Sequence, residues 1–169
     1  RLFYLVPEFH NPTGLQVPES RRRALARVAD EHGLVVLEDA TFAELSLGVR
    51  NHRPLATFSE SGRVLTSGSL SKVAWPGLRV GWIRAETPLL DALARAKSAA
   101  DLGTSVVSQV IALRLFARIE ELRQAARGLN RRKYDRLAVL LRERLPGWTW
   151  DEPAGGLCLW ARLPRGRAA

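Results

Sequence analysis

Methionine is absent from this 169-residue chain, cysteine occurs once and histidine three times. The lone thiol, Cys158, has no internal partner, so no disulfide framework holds the fold, and a reducing compartment such as the cytoplasm suits it. His10, His32 and His52 show no ligand spacing, so no metal site is read. No apolar run approaches the roughly 18 residues that cross a bilayer, and no signal-peptide pattern opens the chain. A membrane partner is therefore not expected. Opening directly into a strand-like run and lacking any methionine, the chain reads as a piece of a longer protein.

Lysine is scarce as well. Only Lys72, Lys97 and Lys133 stand among 26 basic residues, within a formal net charge of +9. Much of that charge lies in Arg114–Arg144, with ten basic and four acidic residues. Leu113, Phe116, Ile119, Leu122 and Ala126, then Leu129, Leu137, Leu140 and Leu141, give this stretch an apolar stripe at helical spacing. No aromatic interleaving or nucleic-acid motif accompanies it, so it reads as a long helix with a solvated, arginine-rich face. At 46% hydrophobic and 25% charged residues, the composition is that of a globular chain with a sizeable core.

Where lysine is rare, one in a special setting matters. Arg63-Val64-Leu65-Thr66-Ser67 reads as a buried strand and runs into Gly68-Ser69-Leu70-Ser71-Lys72. An amine can lose its proton and attack a carbonyl, which a guanidinium cannot do. A parallel crossover needs about a dozen residues or more. The link between Lys72 and Arg79 is shorter, so a strand over Arg79–Ile83 is expected antiparallel to the one before the lysine. That would bring Arg79 to the sheet edge holding Lys72, Ser69 and Ser71. One amine, two hydroxyls and one guanidinium suit a phosphorylated carbonyl compound.

Taken in order, Leu2-Phe3-Tyr4-Leu5-Val6 is an unbroken apolar run, as in a parallel strand buried on both faces. Pro7 stops it, and Asn11-Pro12-Thr13-Gly14 forms a turn at its carboxyl end, where open α/β sheets bind ligands. Pro18 opens a helix with Leu25, Val28 and Ala29 inward, and Gly33 closes it. Leu34–Leu37 is the next strand, completing a βαβ unit and ending in Glu38-Asp39-Ala40-Thr41-Phe42. Arg50–Gly62 is a loop with an apolar patch at Leu55, Ala56 and Phe58. A helix follows from Thr87 to about Ala100, then another capped by Thr104 or Ser105, then the basic helix. Trp148–Trp150 and Leu157–Leu163 read as two strands around Pro153-Ala154-Gly155-Gly156.

Ser69-x-Ser71-Lys72 followed by Pro76-Gly77-Leu78-Arg79-Val80-Gly81 resembles the lysine motif of fold type I, class I/II aminotransferases dependent on pyridoxal 5′-phosphate (PLP). The Asn11 loop, the Asp39 strand end and Gly155-Gly156 match further family motifs in the right order, so the resemblance covers nearly the whole chain. It implies an α/β fold: part of the large domain's mostly parallel sheet with flanking helices over residues 1–115, then an interdomain helix and the start of the small α+β domain over 116–169. It also implies roles. Lys72 forms a Schiff base with PLP and later acts as general base. Ser69, Ser71 and Arg79 hold the phosphate, Asp39 keeps the ring nitrogen protonated, and Asn11 contacts the phenolic oxygen. Phe42 stands where many relatives have a tyrosine, keeping the packing and losing a hydrogen bond.

Lys72-x-x-Trp75-Pro76-Gly77-Leu78-Arg79-Val80-Gly81-Trp82, Asp101-Leu102-Gly103-Thr104 and Gly156-Leu157-Cys158-Leu159-Trp160 are most similar to MocR-type regulators. In those an aminotransferase-like domain follows a DNA-binding domain of the GntR class. The resemblance thus implies amino acid or 2-oxo acid ligands, a homodimer, and DNA contact only through an N-terminal domain outside this chain. A free-standing aminotransferase is the alternative. A nucleotide-hydrolase phosphate loop is excluded, because no Gly-x-x-x-x-Gly-Lys-Ser/Thr pattern exists.

Overall fold

The computed structural model describes residues 1–48, 53–101 and 103–164. Four strands, β1 (Leu2–Leu5), β2 (Val35–Asp39), β3 (Val64–Ser69) and β4 (Gly81–Arg84), form one sheet in the order β1-β2-β3-β4. The first three are parallel and β4 is antiparallel to β3, with Ser69 opposite Gly81. The strand after the lysine thus runs in the expected direction but begins at Gly81, two residues later than Arg79. Gly68 faces Trp82 in this pairing, and a Cβ on Gly68 would overlap the Trp82 indole.

Helix α1 (Glu19–Glu31) covers one face of the sheet. Ala26 and Ala29 pack with Val36, Leu55 and Val64 into a first core, joined by the half-buried Leu25. The inward stripe differs from the expected one: Val28 is 41% exposed, while Arg22 is fully buried in phase with Ala26 and Ala29. A guanidinium tolerates burial only when its donors are taken. Arg22 donates to the carbonyls of Val17, Pro7 and Arg53 and pairs with Glu8 at 3.2 Å. The helix is thereby fastened to the loop that follows β1.

A second core gathers Leu70, Leu78, Val80 and Ala112, with Val73, Ala74, Leu115 and Ile119 against it. It fixes both sides of the lysine segment to α3 (Val106–Phe116) and the start of α4 (Ile119–Arg144). The expected single stripe through Phe116 and Ile119 crosses a break between these helices. The Arg118 amide donates to Leu115 rather than to the carbonyl four residues back, which tightens the turn. Leu115 and Ile119, four residues apart, both reach the core across this turn. Helix α2 (Thr87–Ala100) buries no residue fully. Of the loop at Arg50–Gly62, Arg50–His52 lie outside the described residues, and Leu55–Phe58 form a short 3-10 turn.

The last segment is less regular than expected. Strands β5 (Thr149–Trp150) and β6 (Ala161–Arg162) pair over two residues each, so Leu157–Trp160 is not a strand. The stretch just before it, 154–156, joins another loop: Leu47 N–H donates to the Ala154 carbonyl at 2.9 Å and Gly156 N–H to that of Leu45 at 2.9 Å. A second departure concerns β1, where Leu2, Phe3 and Tyr4 are 67, 41 and 55% exposed rather than buried on both faces. The strand pairs only with β2 in this sheet, so one edge and one face are uncovered. Among the described residues no helix is long and apolar enough to cross a membrane, and no cluster of three or more His, Cys, Asp or Glu has metal-binding geometry.

Candidate active site at the carboxyl ends of the parallel strands

The three parallel strands end together, and the site residues follow from them. Side chains alternate along a strand, so Asp39 on β2 shares a face with Ser67 opposite it and with Ser69. Ser69 Oγ donates to Ser71 Oγ at 3.0 Å, lies 3.1 Å from the Val80 carbonyl, and accepts from the Ser71 amide at 3.1 Å. The two hydroxyls form one unit, attached to the residue next to Arg79.

Arg79 does not sit in a strand. It ends the short 3-10 turn Pro76–Leu78 with φ 54° and ψ 34°, in the left-handed region. A non-glycine residue there is uncommon, and its persistence shows that the surroundings over-determine it. Buried Leu78 and Val80 flank it. The guanidinium itself is exposed and makes no hydrogen bond or ion pair among the described residues. Lys72 is likewise exposed, and its Nζ lies 6.0 Å from the centre of the Phe42 ring, its one described contact. Phe42 thus faces the amine.

Asp39 is bound at both oxygens. Oδ1 accepts from the Thr41 amide at 3.0 Å and Oδ2 accepts from the Tyr4 hydroxyl at 2.6 Å. The hydrogen bond to Asp39, partial burial and the Asp39 charge together push the Tyr4 phenol up to about 12. Nothing in the reading of the sequence singled out Tyr4, which sat inside an apolar run. Its signal was the polar tip, since a tyrosine in such a run usually finds a partner for its hydroxyl.

Asn11 lies in the turn after β1, preceded by the buried Phe9 at φ 51° and followed by a cis Asn11-Pro12 bond. Gly14, at φ 70°, closes the turn by donating to the His10 carbonyl at 2.6 Å. The Asn11 side-chain oxygen Oδ1 accepts from the Cys158 thiol at 3.3 Å, a contact across 147 positions. Close to it, Gly155 and Gly156 lie on Phe9, and a Cβ on Gly155 would stand 2.5 Å from that ring. The fold therefore joins Lys72 with Phe42, Asp39 with Tyr4, Ser69 with Ser71, and Asn11 with the chain's last segment.

Residues 3–168 match the family model for aminotransferase class I and II. The chain is 34% identical to aromatic-amino-acid aminotransferase 1 of Thermococcus litoralis, over 98% of this chain and 40% of that protein. It is 33% identical to YdfD, an uncharacterized HTH-type transcriptional regulator of Bacillus subtilis, over 96% of this chain and 34% of that one. Among solved structures, the α-aminoadipate aminotransferase LysN of Thermus thermophilus, complexed with N-(5′-phosphopyridoxyl)-L-leucine, is 36% identical with a TM-score of 0.85, over 96% of this chain and 43% of that one. The chain thus spans about two fifths or less of the curated relatives' length.

Proposed function

Because this chain belongs to the aminotransferase class I and II family, we propose that it is the lysine-bearing part of a domain that holds pyridoxal 5′-phosphate and takes amino acids or 2-oxo acids as ligands. One observation carries the reading. After the fold is built, an amine (Lys72) and a guanidinium (Arg79) have no acceptor among the described residues, beside linked hydroxyls and a carboxylate at the same end of the sheet. That donor set fits a group with an aldehyde, a phosphate and a basic ring nitrogen.

When bound, the cofactor supplies an aldehyde that condenses with amines and a ring that takes up electrons released at a neighbouring carbon. Arg79 holds the phosphate by charge-assisted hydrogen bonds, aided by Ser69 and Ser71. Asp39 keeps a proton on the ring nitrogen through its opposite charge. Asn11 donates to the phenolic oxygen and Phe42 supplies packing beside the amine. Lys72 would hold the cofactor's aldehyde through its amine and, when free, could take the proton from the ligand's α carbon as general base.

In the whole protein we read this as the ligand-sensing domain of a cytoplasmic, homodimeric MocR-type regulator that meets DNA through a separate N-terminal domain. Residues 1–115 belong to the large domain, and 116–169 to the interdomain helix and the start of the small one. Similarity to a helix-turn-helix regulator supports this, and the matching similarity to free-standing aminotransferases supports enzymatic transfer as a second reading. Borohydride reduction of the full-length protein loaded with PLP, followed by peptide mapping, should place a pyridoxyl group on Lys72; a label elsewhere would refute the assignment. Amino acid and 2-oxo acid added together separate the two readings. Product formation identifies the enzyme, and a ligand-dependent change in DNA retention without turnover identifies the sensor.

A further inference from the structure

Tyr4 lies on β1, which the Asn11 loop follows. Its register partner on β2 is Leu37, so it shares the face carrying Asp39 two residues further on. The hydroxyl reaches along the strand direction to Asp39 Oδ2 at 2.6 Å, while the Thr41 amide holds Oδ1 at 3.0 Å. The amide alone fixes one oxygen and leaves the carboxylate free to turn about its last torsion, which is broad for aspartate. The second donor, coming from a different strand, removes that freedom.

We propose that Tyr4 is a positioning residue for Asp39, fixing the plane in which the carboxylate meets the ring nitrogen of the cofactor. This rests on the reading of Asp39 given under Proposed function. A carboxylate offers about four acceptor positions, and two are used here, so an N–H of the ring still finds a lone pair on either oxygen. The donor's chemistry suits the task. A lysine or arginine in place of Tyr4 would compete for the negative charge, whereas a neutral phenol orients the carboxylate and leaves its charge for the ring. With its phenol pushed up to about 12, Tyr4 remains a donor at any ordinary working pH.

The test uses full-length protein stripped of cofactor, titrated with PLP and with its 1-deaza analogue, in which the ring nitrogen is replaced by a carbon. Tyr4→Phe should weaken PLP binding by roughly 3- to 10-fold, the scale of one ordinary net hydrogen bond, and leave the deaza analogue unaffected. Unchanged PLP affinity, or equal weakening of both compounds, overturns the proposal. Asp39→Asn should erase the protein's preference for PLP over the analogue. If it does not, Asp39 is not at the ring nitrogen and the underlying reading fails, whatever Tyr4 does. Should Tyr4→Phe not fold, tyrosine-ring NMR on the unsubstituted protein and on Asp39→Asn keeps the question open to refutation. The Tyr4 phenol should titrate near 12 in the first and fall toward 10 in the second. Titration at the ordinary value in both overturns the contact.

Discussion

Glu38 and Asp39 are neighbours on β2 whose carboxylates do different work on opposite faces of the sheet. Glu38 is 1% exposed, accepting from the Leu55 amide at 2.8 Å and the Thr66 hydroxyl at 2.9 Å on the face covered by α1. Asp39 faces the other way, toward Tyr4 and the serine pair. The alternation of a single strand separates a carboxylate of the core from one of the candidate site.

The pair predicts a clean division of effects. Glu38→Leu leaves a buried amide and a buried hydroxyl without acceptors, which should cost about 2–4 kcal/mol in urea unfolding. Asp39→Asn should leave stability nearly unchanged and impair the parent protein's handling of its amino acid ligand. Equal losses of stability in both variants would contradict the assignment.

Arg22 should be among the most sensitive positions. Arg22→Ala removes the guanidinium that pairs with the Glu8 carboxylate and serves three carbonyls in the interior, an expected loss of about 3–5 kcal/mol. Arg22→Met with Glu8→Leu should recover part of that, and only part, because the carbonyls of Pro7, Val17 and Arg53 lose their donor in both. Equilibrium unfolding of the three proteins checks the order.

Gly155→Ala places a methyl group 2.5 Å from the Phe9 ring and 2.6 Å from the Leu45 carbonyl. Backbone cannot yield as a side-chain tip does, so the expected cost is on the order of 1–3 kcal/mol. The Ala154–Gly156 segment should lift from Leu45–Leu47, which hydrogen exchange at the Leu47 and Gly156 amides would register.

Asp30 gives the chain an acid-sensitive element. Burial acts to raise its carboxyl, yet the Ser61 hydroxyl, the Glu60 amide and the Ser59 hydroxyl outweigh it and hold the group below its ordinary value near 3.8. A pKa lower in the folded state means a stabilising contribution that is present above the unfolded value and lost as pH falls through the folded one. Asp30→Asn should therefore flatten the fall of stability below about pH 4 and leave its course near neutrality parallel to that of the parent.

Arg79→Ala should weaken PLP binding by at least tenfold, the loss of a charge-assisted contact, while pyridoxal without its phosphate binds as before. If both ligands weaken equally, the guanidinium does not serve the phosphate.

The sheet and the lysine segment were legible because their causes are local. Unbroken apolar runs, a link too short for a crossover and the order of four motifs need only neighbours in the chain. What escaped the reading depends on distant partners. Arg22 looks like any surface arginine until Pro7, Glu8 and Arg53 surround it. Tyr4 is one more apolar residue until Asp39 arrives 35 positions later. Leu157–Trp160 has the pattern of a strand, and loses its pairing because Gly155 and Gly156 spend their backbone contacts on the Leu45–Leu47 loop. Periodicity reports the faces of elements; it is silent on where a guanidinium ends or which loop a backbone joins.

The left-handed backbone at Arg79 bears on how such sequences change over generations. A glycine at that position would relieve the backbone, by roughly 1 kcal/mol, so selection for stability alone favours losing the side chain. An arginine that holds an anion there would offset that cost through its charge. Chains of this fold that have stopped holding an anion should drift to glycine or asparagine at this position, and that substitution offers a mark by which a retired site can be picked out from sequence.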